Sequence, residues 1–246
     1  MKILVAVKRV IDPYAKVGPL ADGSGIDTTN VKFDVNPFDE IAIEEAVRQK
    51  EKDPSIEIVA VTIGGSECTE QLQKALAMGA DRAILVETDQ AYDPSSLSKE
   101  LEAVVRSESP DVILMGKQAT DGDNNQVGQM LAARLGWPQA TFACNVQFSG
   151  GKATVSRETD TGEETLELPL PAVITTDLRL NEPRYIGIAG IVKARSKPID
   201  RRAPVTPGGT RVRSVKVESV PARAAGKKVA SVEELMNELS SRGVGA

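Results

Sequence analysis

Short apolar runs alternate with helix-periodic stretches along the first two-thirds of the chain. Residues 3–7 (ILVAV), 57–63 (EIVAVTI), 83–86 (AILV), 111–115 (DVILM) and 172–176 (AVITT) are aliphatic and largely β-branched. Such runs predict strands buried on both faces, and the helical segments between the earlier ones predict a parallel sheet covered by helices. In NPFDEIAIEEAVRQKEK, Asn36 suits a helix N-cap, Pro37 the first helical position, and Asp39 and Glu40 the positive end of the helix dipole. Ile43, Ala46 and Val47 share its apolar face. ECTEQLQKALAMGAD predicts a second helix closed by Gly79. A third is predicted from about Asn124 to Leu135. A last, amphipathic helix is predicted over 231–243, with Ser231 as N-cap and Gly243 as stop.

After Gly136 the period changes to alternation, with turn residues at SGG and TDTGE. This predicts a β-hairpin excursion, two antiparallel strands before the return strand at 172–176. From about Pro198 the chain is rich in Pro, Gly and basic residues, buries little by itself and reads as a C-terminal arm.

Composition narrows the chemistry. The chain has 246 residues, 41% of them hydrophobic but only 3% aromatic, so its core is aliphatic. It contains no histidine, which excludes Ser-His and Cys-His nucleophile pairs and the usual His-based zinc sites. Acid–base work would fall to Asp, Glu, Lys or Tyr, and no two carboxylates pair in a cleft motif. Cys68 and Cys144 form no CxxC and read as structural thiols of a reducing compartment. No apolar run approaches the roughly 20 residues needed to span a bilayer, so the chain is not expected to be a membrane protein itself. MKILVAVKRV reads as a first strand rather than a secretory signal. Between residues 191 and 228 eleven Lys and Arg face two acids. That segment is a partner surface before it is a nucleic-acid patch, because it has no aromatic residue to stack on bases.

Two stretches carry candidate chemistry. MGKQATDGDNNQVGQM follows a strand, begins with Gly116 and runs into a helix. In a parallel sheet such a loop lines the ligand crevice, and a helix start offers amides to an anion. There is no GxxxxGK[ST] and no GxGxxG, so it is neither a Walker loop nor a Rossmann fingerprint. Simple helix capping by Asp121 or Asp123 stays open, as does a thin metal site built on the same two residues. The second stretch, DLRLNEPRYIGIAGIVKARSK, sets Ile186, Ile188, Ile191 and Val192 among small residues with Lys193, Arg195 and Lys197 behind. It is an exposed apolar patch rimmed by charge, which marks an interaction site, or else a short helix packed on the sheet edge.

LVAVKRVID, NPFDEIAIEEAVR, ALAMGADRAILVE, GKQATDGDNNQVGQMLAARLGWPQATFA, ETLELPLPAVITTDLRLNEPRY and KARSKPI, in that order, resemble the beta subunit of electron-transfer flavoprotein across residues 1–200. The resemblance implies a three-layer α/β fold, adenine-nucleotide-hydrolase-like, with a nucleotide-binding domain at 1–200 and an arm with its helix at 201–246 packing on the alpha subunit of a heterodimer. It implies structural AMP on this chain and a redox-active FAD held mainly by the alpha subunit. Electrons would come from acyl-CoA dehydrogenases and related flavin dehydrogenases and pass to a membrane-bound quinone oxidoreductase. This chain would then be an electron-carrier subunit without catalytic chemistry, cytoplasmic in a bacterium or in the mitochondrial matrix of a eukaryote. The AMP pocket would involve Ala6, Asn36, Ile63 and a loop of Gly116, Lys117, Gln118, Ala119, Thr120, Asp121, Gly122, Asp123, Asn124, Asn125, Gln126 and Val127. Residues 184–194 match the dehydrogenase-docking loop, with Arg184, Tyr185, Ile186, Ile188, Ile191 and Lys193. Ile188 stands where the family has a leucine anchor. Glu158 aligns with a glutamate that helps release the mobile FAD domain. A bifurcating branch with a second FAD in place of AMP is the first alternative; a universal-stress-type nucleotide-binding homodimer is the second.

Overall fold

Successive side chains of the first strand part to opposite sides of a sheet: Ile3 and Val5 join one buried cluster, Leu4 the other. The structure, a computed structural model, describes residues 1–244. Its elements in chain order are β1 (Lys2–Ala6), β2 (Arg9–Ile11), β3 (Gly18–Pro19), β4 (Ile26–Asp27), β5 (Phe33–Val35), α1 (Pro37–Lys52), β6 (Glu57–Gly64), α2 (Thr69–Met78), β7 (Arg82–Glu87), α3 (Pro94–Glu108), β8 (Val112–Gly116), α4 (Val127–Leu135), β9 (Gln139–Ser149), β10 (Lys152–Thr159), β11 (Gly162–Pro169), β12 (Ala172–Thr176), α5 (Ile188–Ala194), β13 (Ile199–Arg202) and α6 (Val232–Ser241). Nine strands form one sheet in the order β11-β10-β9-β12-β8-β1-β6-β7-β13. All pairs from β9 to β13 are parallel; β9, β10 and β11 run antiparallel to one another.

The two aliphatic clusters make the fold three-layered. Ile3, Val5, Ile58, Ala60, Leu114 and Ile174 pack against α1 and α2 through Ile43, Ala46, Leu72 and Leu76. Leu4, Val59, Ile84, Ile113 and Val173 pack against α3 and α4 through Leu101, Val105 and Leu131. The chain leaves β1 for β6 and β7 on one side and returns to β8 on the other. The order therefore reverses between β1 and β8, the place where open α/β sheets bind ligands.

Several elements differ from the sequence reading. Both expected turns form hairpins, so the excursion has three antiparallel strands rather than two. The helix expected from about Asn124 is α4 and starts at Val127, because Asp123 (φ 50°) and Asn125 (φ 49°) hold left-handed backbone. The apolar stretch at 188–194 is a short helix against α2, where Gly190 comes so close that a Cβ would lie 2.9 Å from the Ala77 carbonyl oxygen. Beyond Pro198 the chain does not leave at once: β13 pairs in parallel with β7 at the sheet edge. Much of the basic stretch is also satisfied within the chain. The Lys197 ammonium donates to the carbonyls of Leu76 (2.9 Å) and Ala80 (2.5 Å) at the end of α2, and Arg201 pairs with Glu87.

The chain divides into two compact units, residues 1–17 with 28–213, and residues 18–27 with 214–246. In the second, β3 and β4 form a small antiparallel ladder, and Val217 N–H donates to the Gly23 carbonyl at 2.9 Å. Ser231 caps α6 as expected, accepting from Glu234 N–H at 3.1 Å.

Candidate functional site

After Val5 and Leu114, β1 and β8 diverge. Val7 N–H turns to the Val61 carbonyl on β6, and Lys117 N–H turns to the Thr176 carbonyl on β12. The splay opens a cleft of about 300 Å³ at the carboxyl ends of the parallel strands. Ala6 and Ile63 sit on its floor at strand ends, and Met115 and Gly116 close one side. Gly122 to Val127 and the first turn of α4 form the rim, while Gln90 and Tyr92 come from the β7–α3 connection and Pro94 and Leu97 from the start of α3.

Asn36 stands at the N-cap of α1 but makes no side-chain cap. Its amide instead holds the loop: Nδ2 donates to the Gln118 carbonyl at 2.8 Å, and Oδ1 accepts from Thr120 N–H at 3.3 Å. Neither aspartate of the loop caps α4. Asp121 pairs with the Lys8 ammonium at 2.7 Å, and Asp123 accepts from the Gln118 side-chain amide. The N-cap position of α4, Gln126, gives no side-chain cap either, so the first-turn amides there keep their affinity for an anion. Gly128 lets that turn approach the sheet, since a Cβ would lie 2.5 Å from the Thr175 methyl. Among the described residues, no group of three or more His, Cys, Asp or Glu is placed to hold an ion. Lys117 is drawn to Asp177 at 2.7 Å, with its ammonium 5.3 and 5.4 Å from the Phe38 and Phe142 ring centres. Phe142 itself takes a left-handed φ of 60° at an irregularity in the β9–β12 pairing.

Thirteen of the fifteen residues expected in the pocket line this one cleft; Thr120 and Asp121 do not, being turned to Asn36 and Lys8. Sequence reasoning missed Lys8, Gln90, Tyr92, Leu97 and above all Asp39. Asp39 is 6% exposed, and its two carboxylate oxygens accept one N–H from each diverging strand: Oδ2 from Lys8 at 2.8 Å, Oδ1 from Gly116 at 2.9 Å. Burial pushes its pKa up to about 7, against the pull of those two amides. Only its position in the first turn of α1 signalled it, and that was read as dipole complementarity.

The residues expected to dock a partner lie away from the cleft. Arg184 is fixed on α1, its guanidinium bound to Glu44 (2.8 Å) and Glu51 (2.7 Å), and those two carboxylates raise its pKa further. Ile186 packs on the core, whereas Tyr185 is 95% and Ile188 81% exposed. Ile191 and Val192 extend this apolar surface, and Lys193 borders it. Glu158 accepts a bond from Arg179 on the solvent side of the hairpin. Both cysteines are free thiols, and no helix among the described residues is long and apolar enough to cross a membrane.

A family model described as "Electron transfer flavoprotein domain" matches residues 24–207. The chain is 47% identical over 244 residues to the electron transfer flavoprotein subunit beta of Bradyrhizobium diazoefficiens, with 98% of each chain covered. It is 50% identical over 247 residues to the mitochondrial electron transfer flavoprotein subunit beta of Arabidopsis thaliana, again with 98% of each covered. To the human electron transfer flavoprotein subunit beta it is 46% identical over 250 residues, covering 99% of this chain and 98% of the other.

Proposed function

The chain belongs to the electron transfer flavoprotein family, as a beta subunit, and on that premise we propose that it holds one AMP in the β1–β8 cleft as a structural ligand. The observation that carries this reading is the cleft itself. It lies at the switch point of a parallel sheet, faces the uncapped start of α4 and binds its own loop through Asn36. A monophosphate held by main-chain amides needs no basic side chain beside it, which fits a site where Lys8 and Lys117 are already paired. A volume of about 300 Å³ is at the small end for ligand sites, and it favours a mononucleotide over a second FAD.

The wider role follows from the family. The chain pairs with an alpha subunit that carries most contacts to FAD, and the arm beyond β13, with its helix α6, packs on that subunit. Tyr185, Ile188, Ile191 and Val192 present the apolar surface that docks flavin dehydrogenases such as acyl-CoA dehydrogenases. Electrons then pass from the FAD toward a membrane quinone oxidoreductase. Glu158, already paired with Arg179, helps release the mobile FAD domain between partners.

Co-expression with the alpha subunit, denaturation and identification of the released nucleotides tests the reading. One AMP and one FAD per heterodimer are expected. Two FAD and no AMP would establish the bifurcating alternative. A flavin-free homodimer containing ATP or AMP would establish the stress-protein alternative.

A further inference from the structure

The cleft exists because β1 and β8 part, and parting strands leave main-chain N–H groups without ladder partners. A buried amide must find an acceptor. At the fork, the Lys8 and Gly116 amides share one: the side chain of Asp39, an oxygen to each, at 2.8 and 2.9 Å. The contact is tight. A Cβ at Gly116 would lie 2.5 Å from Asp39 Oδ1 and 2.6 Å from Phe38 Cβ, so strand end, carboxyl and first helical turn are packed as one block. Asp39 also lines the cleft.

We propose that Asp39 is the positioning residue of the nucleotide site: its carboxyl sets the spacing of the two strand ends, and anionic nucleotide binds best when that carboxyl carries a proton. The inference rests on the AMP reading above.

The charge argument turns on what surrounds the group. No cation lies within ion-pair distance of Asp39 among the described residues. Lys8, on the segment after β1, gives its ammonium to Asp121. Lys117, after β8, gives its own to Asp177, after β12. Asp123 is bound by Gln118. On α1 the neighbouring Glu40 pairs with Lys74 of α2, which also binds Asp34 of β5. A phosphate entering the cleft therefore meets a buried carboxyl, also bonded by the Asn36 side chain, whose one cationic influence, the Lys8 ammonium, is shared with Asp121 and only partly offsets the cost of burial. In its ionised form the two anions repel across a medium of low polarity. By linkage, binding an anionic ligand then takes up a proton, and affinity falls as pH rises through the range where Asp39 ionises. Burial already places that range near neutrality.

Calorimetric titration of AMP into the nucleotide-stripped heterodimer tests this at pH 7.5, in two buffers of different ionisation enthalpy. The difference in heats gives the protons exchanged. A net uptake of a sizeable fraction of a proton per AMP is expected, and none for adenosine, which has no phosphate. Between pH 6.5 and 8, AMP binding should weaken about threefold to tenfold in the wild type. In Asp39→Asn the remaining pH dependence should be that of the phosphate alone, while Asp39→Glu should restore part of the wild-type slope. Zero uptake or proton release by the wild type would overturn the proposal, whether or not the variants fold. So would equal pH slopes in the wild type and a folded Asp39→Asn. Failure of the wild type to bind AMP at any pH would instead overturn the nucleotide reading, and this inference with it.

Discussion

Glu108, the last residue of α3, joins elements that sequence separates widely. It accepts from Arg82 of β7 at 2.5 Å and from Arg202 of β13 at 2.6 Å, with the Lys2 ammonium of β1 at 3.6 Å. Its side chain is 7% exposed. Burial alone would raise its pKa, but the bonds from Arg82 and Arg202 overcome that and hold it at about 2 instead of 4.5. A carboxylate with a depressed folded pKa stabilises the fold above its unfolded pKa, and the benefit is lost as pH falls through the folded value. The shift corresponds to roughly 3 kcal/mol at pH 7 and about 2 kcal/mol at pH 3.5. Glu108→Gln keeps the shape and removes the charge. It should cost about 3 kcal/mol at neutral pH, a fall of roughly 6–12 °C in melting temperature for a chain of this size. The cost should shrink by about 1 kcal/mol on going to pH 3.5. Urea denaturation of the wild type and variant at both pH values measures it. Hydrogen exchange at residues 199–202 should also accelerate, because β13 is an edge strand held in part by Arg202. A gap between wild type and variant that stays the same at pH 7 and pH 3.5 would refute the reasoning, since the charge would then contribute nothing.

Three shorter predictions concern the cleft and the docking surface. Gly116→Ala forces a methyl to within 2.9 Å of the Phe38 main chain as well as against Asp39; it should destabilise by about 1–3 kcal/mol and weaken AMP binding, read by thermal melts and calorimetry. Asn36→Ala releases the loop at Gln118 and Thr120; at about 1 kcal/mol per bond, it should cost the nucleotide-free fold about 2 kcal/mol, read by urea denaturation, and weaken AMP binding, read by calorimetry. Ile188→Ala removes an 81% exposed side chain; if that side chain is buried by a dehydrogenase it is worth about 1.5–3 kcal/mol, so electron transfer from the dehydrogenase at limiting concentration should slow at least tenfold with heterodimer stability unchanged.

The buried strands were legible because parallel sheets covered on both faces read as continuous aliphatic runs, and β1, β6, β7, β8 and β12 all do. β13, with the sequence IDRR, has one apolar residue and looks like part of an arm; it becomes a strand only because β7 offers an open edge. The start of α4 was displaced for a local reason, the left-handed backbone at Asp123 and Asn125, which an Asp or Asn tolerates but does not announce. The docking stretch was divided evenly between loop and short helix, and the helix it forms still leaves Ile188 outward.

The site was harder to read than the fold for a different reason. Sequence reasoning assigns Asn and Asp at a helix start to local work, capping or dipole complementarity, because those are the interactions that spacing predicts. Here Asn36 and Asp39 instead serve main-chain groups far along the chain, at Gln118, Thr120 and Gly116, with Lys8 the nearer exception. Both act because β1 and β8 separate, an event of topology that no local pattern encodes. The same separation accounts for the character of the cleft. Its lysines are taken by Asp121 and Asp177, and its loop amides are ordered by Asn36. The lining combines main chain and an aliphatic floor with Gln90, Tyr92, Asn124, Asn125 and the buried carboxyl of Asp39. Such a lining suits the AMP proposed above, with main-chain amides at the start of α4 for the phosphate and an apolar floor for the base.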